Sequence, residues 1–178
     1  MTLNEAIVVR MSHDLAGAVG AFANTVDLMK MDASFIPESV DLLETSSHQL
    51  VARLNFFRAL FGADTKTITN DLFLKYIQTL AYHVDFEGDC VCRLQLALLA
   101  VGLELLGTDG KLVLKDKTLH IYGDSFHCDD LFIQCLMGTQ IPCDVKNVMA
   151  VWLVHLAQEE GLIIRLNAGE NTLILSLT

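Results

Sequence analysis

A histidine and an aspartate are adjacent at positions 13 and 14, in a segment (RMSHDLAGAVGAFANTVDLM, residues 10–29) that otherwise has the pattern of a helix. A neutral imidazole carries a free ring nitrogen, which is a nucleophile. A neighbouring carboxylate can fix the tautomer of the ring or receive its proton, although adjacent helix residues point about 100° apart. His13 and Asp14 are therefore candidate catalytic residues, and attack on a phosphoryl group is a reaction that suits them.

Small residues surround this pair on the same predicted helix face. Each glycine inside a helix costs about 0.5–1 kcal/mol relative to alanine, which favours a functional reason for Gly17 and Gly20. With Leu15 at a core position, His13 lies on the opposite side of the helix and projects into solvent. The predicted outward face carries Arg10, His13, Gly17, Gly20, Asn24 and Asp27. We expect Arg10, Gly17, Gly20 and Asn24 to contact a second protein there.

Two heptad patterns predict the helices that position these residues. Together they predict a helical hairpin over residues 1–62, with a proline near the start of the second helix. A lone hairpin buries one side of each helix, so we expect two copies to form a four-helix bundle and the protein to be a homodimer. The predicted core positions are Val8, Met11, Leu15, Ala18, Phe22, Thr25 and Met29 in helix one, and Val40, Leu43, Ser47, Leu50, Leu54, Phe57 and Phe61 in helix two.

The rest of the chain has a different pattern. Residues 63–70 are polar and predict a linker, and residues 71–178 predict a second domain. Helices are expected at 71–82, 90–106, 128–137 and 144–160, with a short strand at 83–88 and strand hairpins within 111–123 and 162–177. The sequence thus predicts an α+β protein, in which helices of the second domain pack on an antiparallel sheet.

Composition excludes several classes of function. The net charge is −10 and no basic cluster occurs, which argues against direct binding to nucleic acid or to an anionic membrane. The chain is 52% hydrophobic, yet its most apolar segment, residues 94–107, is too short to span a bilayer and contains Gln95 and Glu104. The N-terminus lacks the pattern of a signal peptide. We expect a cytoplasmic location.

The five cysteines form no CxxC pair. Free buried thiols in a reducing compartment are the simpler interpretation. The alternative is a zinc site built from His127, Cys128 and Cys135. A metal pair on the first helix is disfavoured because position 17, one turn after His13, is glycine.

The residues of the hairpin resemble a known family, the ChpT-type histidine phosphotransferases of alphaproteobacteria. That family's first helix carries a motif of the form H-D-L-x-S-P-x-G-A-x-x-N-x-x-x-L-L, and its second helix ends in a motif like A-R-L-x-F-Y-R-x-A-F-G. The resemblance continues more weakly to the C-terminus. The matching residues are His13, Asp14, Leu15, Gly20, Ala21, Asn24 and Leu28 in the first motif, and Ala52, Arg53, Leu54, Phe56, Phe57, Arg58, Phe61 and Gly62 in the second.

The resemblance implies a phosphorelay protein of two-component signal transduction and cell-cycle control, with no cofactor of its own. Its hairpin would dimerise like that of histidine kinases, and its second domain would be a degenerate kinase ATP-binding (Bergerat) domain. His13 would accept a phosphoryl group from the receiver domain of a CckA-like hybrid histidine kinase and pass it to CtrA-like response regulators. The partner's receiver domain would supply Mg²⁺. Arg53, Phe56 and Arg58 would lie where a partner or the second subunit could contact them.

Close to the histidine, the sequence departs from the motif at Gly17 and Ala18, which stand in place of the family's serine and proline. A proline there would kink the helix just beyond the histidine. The heptad turns Phe56 outward, so we expect Phe56 to contact a receiver or the second domain. His48, beside the core position Ser47, is a weaker candidate phosphoacceptor.

Two other functions are compatible with parts of the sequence. A histidine kinase would need a magnesium-binding asparagine in residues 94–107, a D-x-G-x-G segment and a glycine-rich lid, and these signatures are missing. A non-catalytic dimeric scaffold that docks response regulators would need the bundle but no reactive histidine. Labelling of His13 by a phosphorylated receiver separates the scaffold from the phosphotransferase.

Overall fold

The computed structural model describes residues 1–62, 68–127, 129–138 and 143–178. Its elements, in chain order, are α1 (Leu3–Met31), a 3₁₀ turn (Ala33–Phe35), α2 (Ile36–Phe61), α3 (Asn70–Ile77), β1 (Val84–Gly88), α4 (Arg93–Leu106), β2 (Gly110–Lys115), β3 (Thr118–Gly123), α5 (Asp130–Leu136), α6 (Val148–Glu159), β4 (Ile164–Ala168) and β5 (Thr172–Leu177). A long helical hairpin is followed by helices and a five-stranded sheet, which confirms the predicted α+β class and the hairpin.

Local signals fix the ends of the hairpin helices. Thr2 and Glu5 form a capping box at the start of α1, in which each side chain accepts a hydrogen bond from the other residue's backbone N–H. Between the helices, the carboxylate of Asp32 accepts a hydrogen bond from the backbone N–H of Ser34 at 2.8 Å. Pro37 lies in the first turn of α2, where its missing N–H costs no helical hydrogen bond.

The sheet has the strand order β1-β2-β3-β5-β4. Strands β2 to β5 pair antiparallel, as predicted, but β1 pairs with β2 in parallel, so the expectation of a wholly antiparallel sheet was wrong. The physical reason is the buried helix α4, which lies between β1 and β2 and returns the chain to the same end of the sheet. The two predicted hairpins are β2–β3 and β4–β5.

One face of the sheet packs on α4, and α4 in turn packs against α6. Leu112, Leu119 and Ile121 on the strands are fully buried, as are most side chains of α4. Gly102 of α4 lies so close to β3 that an added Cβ would come within 2.5 Å of Leu119 Cδ2, so this helix approaches the sheet closely. The interior between helix and sheet is therefore filled with side chains.

The boundary between the two parts differs in detail from the prediction. Residues 63–67 of the predicted linker lie outside the described residues, whereas Ile68 is buried and the side chain of Thr69 caps α3. Helix α3 ends at Ile77 instead of continuing to residue 82. The Thr79 hydroxyl donates to the carbonyl of Tyr76 at 2.8 Å in the turn that follows.

The heptad positions are only partly buried in the single chain. Ala18, Thr25 and Phe57 are buried and most other positions are half-buried. The exposed positions are Val8, Phe22, Val40, Ser47 and Leu54. A two-helix hairpin can cover only one side of each helix, so an apolar stripe stays open along its length.

The described residues from Ile68 onward, which we call the second domain, cover one end of the hairpin, where α1 begins and α2 ends. Ala6 and Ile7 of α1 and Phe56 and Leu60 of α2 are buried there against α3, α4 and α6. A heptad pattern describes packing between the hairpin helices alone. It therefore does not report the contact between the hairpin and the second domain. Because of that contact, Arg10 and Phe56 face inward, although both were predicted to face outward.

Candidate functional site

The imidazole of His13 stands on the outer surface of α1. Its side chain is 79% exposed, and its Nδ1 lies 3.1 Å from Oδ1 of Asp14, whose own side chain is 17% exposed. The structure thus brings together the two predicted catalytic residues, although the helical spacing alone did not guarantee the contact.

This contact favours one tautomer of the ring. An ionised carboxylate can only accept a hydrogen bond, so the Nδ1 of a neutral His13 is its donor. The proton then resides on Nδ1, and the lone pair of Nε2 is available to an incoming group. Because the ring is exposed, that group can belong to another protein.

Arg10 holds the other oxygen of Asp14. Its Nε donates to Asp14 Oδ2 at 2.8 Å, and its Nη2 donates to Glu104 Oε1 at 2.5 Å. Burial alone would lower the pKa of Arg10, but the carboxylates of Glu104 and Asp14 outweigh burial and raise it. We call His13, Asp14, Arg10 and Glu104 the α1–α4 network, because it links helix α1 to helix α4.

The expectation that Arg10 points outward was therefore wrong, and whether Arg10 contacts a partner stays a prediction. Its side chain is 18% exposed and turned toward the second domain. The reason is the packing of α4 and the segment before α6 beside this turn of α1, where the carbonyl of Val145 also accepts a hydrogen bond from Arg10 Nη1 at 3.4 Å.

Arg53 also connects α1 to the second domain. Its Nη1 donates to the backbone carbonyl of Asp14 at 2.8 Å, and its Nε and Nη2 donate to the hydroxyl and carbonyl of Thr79. All three guanidinium nitrogens thus have acceptors within the chain. Arg58 of the same helix is exposed, and its contact with a partner stays a prediction.

Phe56 is fully buried, which contradicts the outward orientation predicted from the heptad. Its ring stacks on that of Tyr76 in α3, with ring centroids 3.7 Å apart and planes 5° apart. Phe56 was expected to contact either a receiver or the second domain, and in the structure it contacts the second domain. Burial, with the negative charge of Asp14 next in importance, raises the pKa of Tyr76.

The glycines beyond His13 face open space. A Cβ built on Gly17 or Gly20 meets no atom within 4 Å, and Asn24 further along α1 is exposed. The geometry is compatible with a protein surface approaching His13 along this side. Whether Gly17, Gly20 and Asn24 contact such a partner stays a prediction.

A second histidine, His83, makes a similar contact on the surface but lacks the support that His13 has. Its Nε2 lies 3.2 Å from Asp85 Oδ1, yet the Asp85 side chain is 69% exposed. Asp14 is held by Arg10 and Asp85 is mostly in solvent, so the two pairs differ in how firmly the carboxylate is fixed. The other weak candidate, His48, is exposed on α2.

A cavity of about 280 Å³ lies beside the network, between the hairpin and the second domain. Two arginines and two carboxylates contribute to its walls, so it offers no clear excess of positive charge to a nucleotide phosphate. Its charged and aromatic lining residues are Arg10, Asp14, Arg53, Phe56, Tyr76, Tyr82, Glu104 and His127.

Among the described residues, no group of three or more His, Cys, Asp or Glu side chains could hold a metal ion. Cys128 of the alternative zinc site lies outside these residues. Cys135 is buried, and burial raises the pKa of its thiol, as expected of a structural cysteine.

The sequence interpretation missed three residues of this region: Glu104, Tyr76 and Thr79. One signal for Glu104 was available, because it is the one acidic residue in the apolar segment 94–107. A lone carboxylate in a buried helix predicts a cationic partner. No comparable pattern pointed to Tyr76 or Thr79.

Helix α1 is long and apolar enough, by length and composition, to cross a membrane. This is a weak indication, since a core helix of a soluble protein and a signal sequence near the N-terminus pass the same test. The cytoplasmic location stays a prediction.

The sequence matches no protein-family model, and no curated protein matches it. The fold, however, is that of a solved structure of a bacterial phosphotransferase, with a TM-score of 0.82 and 21% sequence identity. The match covers 99% of this chain and 95% of that chain. The likeness therefore includes both the hairpin and the second domain.

Proposed function

We propose that this protein is a histidine phosphotransferase, which relays a phosphoryl group between receiver-domain aspartates through a phosphohistidine at His13. The donor is the receiver domain of a hybrid histidine kinase, and the acceptor is a response regulator. The hairpin motifs support this function, and so does the shared fold with a bacterial phosphotransferase.

The observation that carries the proposal is the contact between His13 Nδ1 and Asp14 Oδ1 at 3.1 Å on an exposed ring. It leaves Nε2 as the nucleophile and directs it away from the chain. Besides a nucleophile, phosphoryl transfer needs positioning and charge stabilisation, and Asp14 supplies both to the imidazole.

The transfer proceeds by displacement at phosphorus. The Nε2 lone pair of His13 forms an N–P bond while the P–O bond to the partner's aspartate breaks, and that carboxylate leaves. The ring becomes an imidazolium whose Nδ1–H points at Asp14, and the negative carboxylate stabilises its charge. Attack by a second receiver aspartate on the phosphorus reverses these steps and regenerates neutral His13.

The exposed apolar stripe of the hairpin supports a homodimer. Val8, Phe22, Val40 and Leu54 are exposed in the single chain although they occupy heptad positions. A second hairpin packed against this stripe would complete a four-helix bundle and remove these side chains from water. The two His13 rings of the dimer would remain on its outer surface.

The second domain, in this proposal, is a degenerate kinase ATP-binding domain that supports the hairpin and binds no nucleotide. Its central helix α4 is packed with leucines against the sheet, which leaves little room for a ligand there. The magnesium ion of the reaction belongs to the partner's receiver domain. The net charge of −10 argues against nucleic acid and anionic membranes as partners.

Incubation with a ³²P-labelled, phosphorylated receiver domain tests this function. Label should move to the protein and should be absent from His13→Ala. His83→Ala, which removes a second exposed histidine paired with a carboxylate, should be labelled like the wild type. Receiver binding without label would indicate the scaffold. Labelling of the isolated protein by ATP would indicate a kinase.

A further inference from the structure

We propose that Glu104, in the buried helix α4 of the second domain, is a positioning residue for the His13 imidazole and acts through Arg10 and Asp14. The proposal rests on His13 being the phosphoacceptor named above. The proposal gives the second domain a part in the reaction, because Glu104 belongs to α4 of that domain, 94 positions from Arg10 in the chain.

Arg10 divides its hydrogen-bond donors between two carboxylates. An arginine beside a carboxylate prefers to bind both oxygens with two parallel N–H groups. Here Nε binds Asp14 Oδ2, whereas Nη2, the other donor on that edge of the guanidinium, binds Glu104 Oε1. Arg10 therefore contacts Asp14 through Nε alone, while Glu104 holds Nη2.

The consequence reaches His13 through the second oxygen of Asp14. Because Arg10 occupies Oδ2 alone, Oδ1 remains available to accept from His13 Nδ1 at 3.1 Å. If Glu104 were absent, Nη2 could turn to Oδ1 and compete with the imidazole for it. His13 would then lose the contact that keeps its proton on Nδ1 and its lone pair on Nε2.

Stability alone is a poor explanation for this arrangement. Ion pairs withdrawn from solvent contribute little net stability, because the attraction is offset by the loss of hydration. Glu104 is nevertheless a carboxylate in a helix whose other residues, apart from Arg93 and Gln95, are apolar or glycine. Its side chain is 28% exposed and the Arg10 side chain 18%. Positioning of Asp14 accounts for its presence there.

The first test measures the tautomer of His13 by ¹⁵N NMR of the ring nitrogens in the full-length protein. The wild type should have its proton on Nδ1. In Glu104→Leu the ring should gain a substantial Nε2–H fraction. In the isosteric Glu104→Gln, which keeps an oxygen acceptor for Arg10, the change should be smaller. An unchanged tautomer in both variants overturns the proposal, whether or not the protein transfers phosphate.

The second test measures the rate of His13 phosphorylation by phosphoramidate and by a phosphorylated receiver domain. We expect Glu104→Leu to slow both by roughly tenfold, as small displacements of reacting groups do. Glu87→Gln is the matched control, because Glu87 forms an ion pair with Lys111 on β1 and β2, outside the network. A wild type that neither donor labels contradicts the proposed function, while the tautomer measurement still decides the role of Glu104.

A double-mutant cycle tests the route through Arg10. If Glu104 acts by restraining Arg10, then Arg10→Met should already remove its effect, and Arg10→Met with Glu104→Leu should be no slower than Arg10→Met alone. Effects that multiply would show that Glu104 acts independently of Arg10 and would overturn this part of the proposal.

Discussion

Asp14 Oδ1 lies 3.1 Å from His13 Nδ1, while Oδ2 of the same carboxylate lies 2.8 Å from Arg10 Nε. One carboxylate therefore contacts both the exposed imidazole and a guanidinium turned toward the second domain. Asp14 is held in this place from two sides, by Arg10 at its side chain and by Arg53 at its backbone carbonyl. The orientation of the candidate nucleophile thus depends on contacts that cross the boundary between the two parts of the chain.

The space beyond His13 can be filled without disturbing the fold. Gly17→Ala and Gly20→Ala should each raise the free energy of unfolding by about 0.5–1 kcal/mol, because alanine favours helix and meets no neighbouring atom. Urea unfolding measures this gain.

A double Gly17→Leu, Gly20→Leu variant should fold equally well and yet accept phosphate from a receiver at least about tenfold more slowly, because its side chains obstruct the partner. Unchanged transfer would contradict a need for clearance there.

The two arginines near the end of α2 should respond differently to removal. Arg53→Ala should lower the free energy of unfolding by about 2 kcal/mol, since it loses charged hydrogen bonds to Asp14 and Thr79. The exposed Arg58→Ala should change it by less than about 0.5 kcal/mol. Chemical unfolding of both variants checks the difference. Equal losses would mean that the Arg53 contacts contribute no more than an ordinary surface side chain.

The apolar stripe of the hairpin should hold two copies together. Leu54→Glu places a charge at an exposed heptad position in each copy, and we expect the dimer dissociation constant to rise at least about 100-fold. Sedimentation equilibrium measures it. Ile163→Glu, which charges an exposed apolar residue of the second domain, should leave the dimer intact. A wild-type protein that is monomeric at high concentration would rule out the bundle.

Alkaline pH should destabilise the fold through its buried thiol and phenol groups. Burial raises the pKa of Cys90 to about 12 and that of Tyr82 to about 12. Above the ordinary thiol pKa of 9.0, the unfolded chain releases a proton that native Cys90 keeps, so stability falls as pH rises toward the native value.

The slope of the free energy of unfolding against pH shows which group causes the loss of stability. Each such group lowers the free energy of unfolding by up to about 1.4 kcal/mol per pH unit in its window. Urea unfolding between about pH 9 and 11 should therefore show a shallower loss for Cys90→Ala than for the wild type, and no such change for Cys92→Ala, whose thiol is exposed. Equal slopes for the wild type and Cys90→Ala would show that Cys90 titrates alike in both states.

The hairpin and most elements of the second domain could be predicted from the sequence because their signals are local. The heptad spacing predicted α1 and α2. The alternation of apolar and polar residues predicted the strand pair β2–β3, before α5, and the strand pair β4–β5, after α6. The parallel pairing of β1 escaped prediction because it depends on how α4 returns the chain to the sheet. The end of α3 at Ile77 depends on a turn at Thr79 that no periodicity marks.

The exposed part of the candidate site could be predicted from the sequence, whereas its buried part could not. The exposure of His13 and the open space at Gly17 and Gly20 follow from helix geometry alone. The burial of Phe56 and the inward turn of Arg10 follow from the second domain packing beside the hairpin, which heptad spacing does not report. Long-range contacts such as Arg10–Glu104 depend on tertiary structure, and the sequence offers only the signal of a carboxylate in an apolar helix.

The most direct test of the central claim is to identify the phosphorylated atom. After transfer from a phosphorylated receiver domain, the protein should be examined under alkaline conditions, where phosphohistidine survives, by ³¹P and ¹⁵N NMR. The account predicts one phosphorylated histidine, His13, with phosphorus bonded to Nε2 and the proton on Nδ1 facing Asp14. Phosphorus on Nδ1 of His13, on another histidine, or on no residue of a protein that binds the receiver would contradict it.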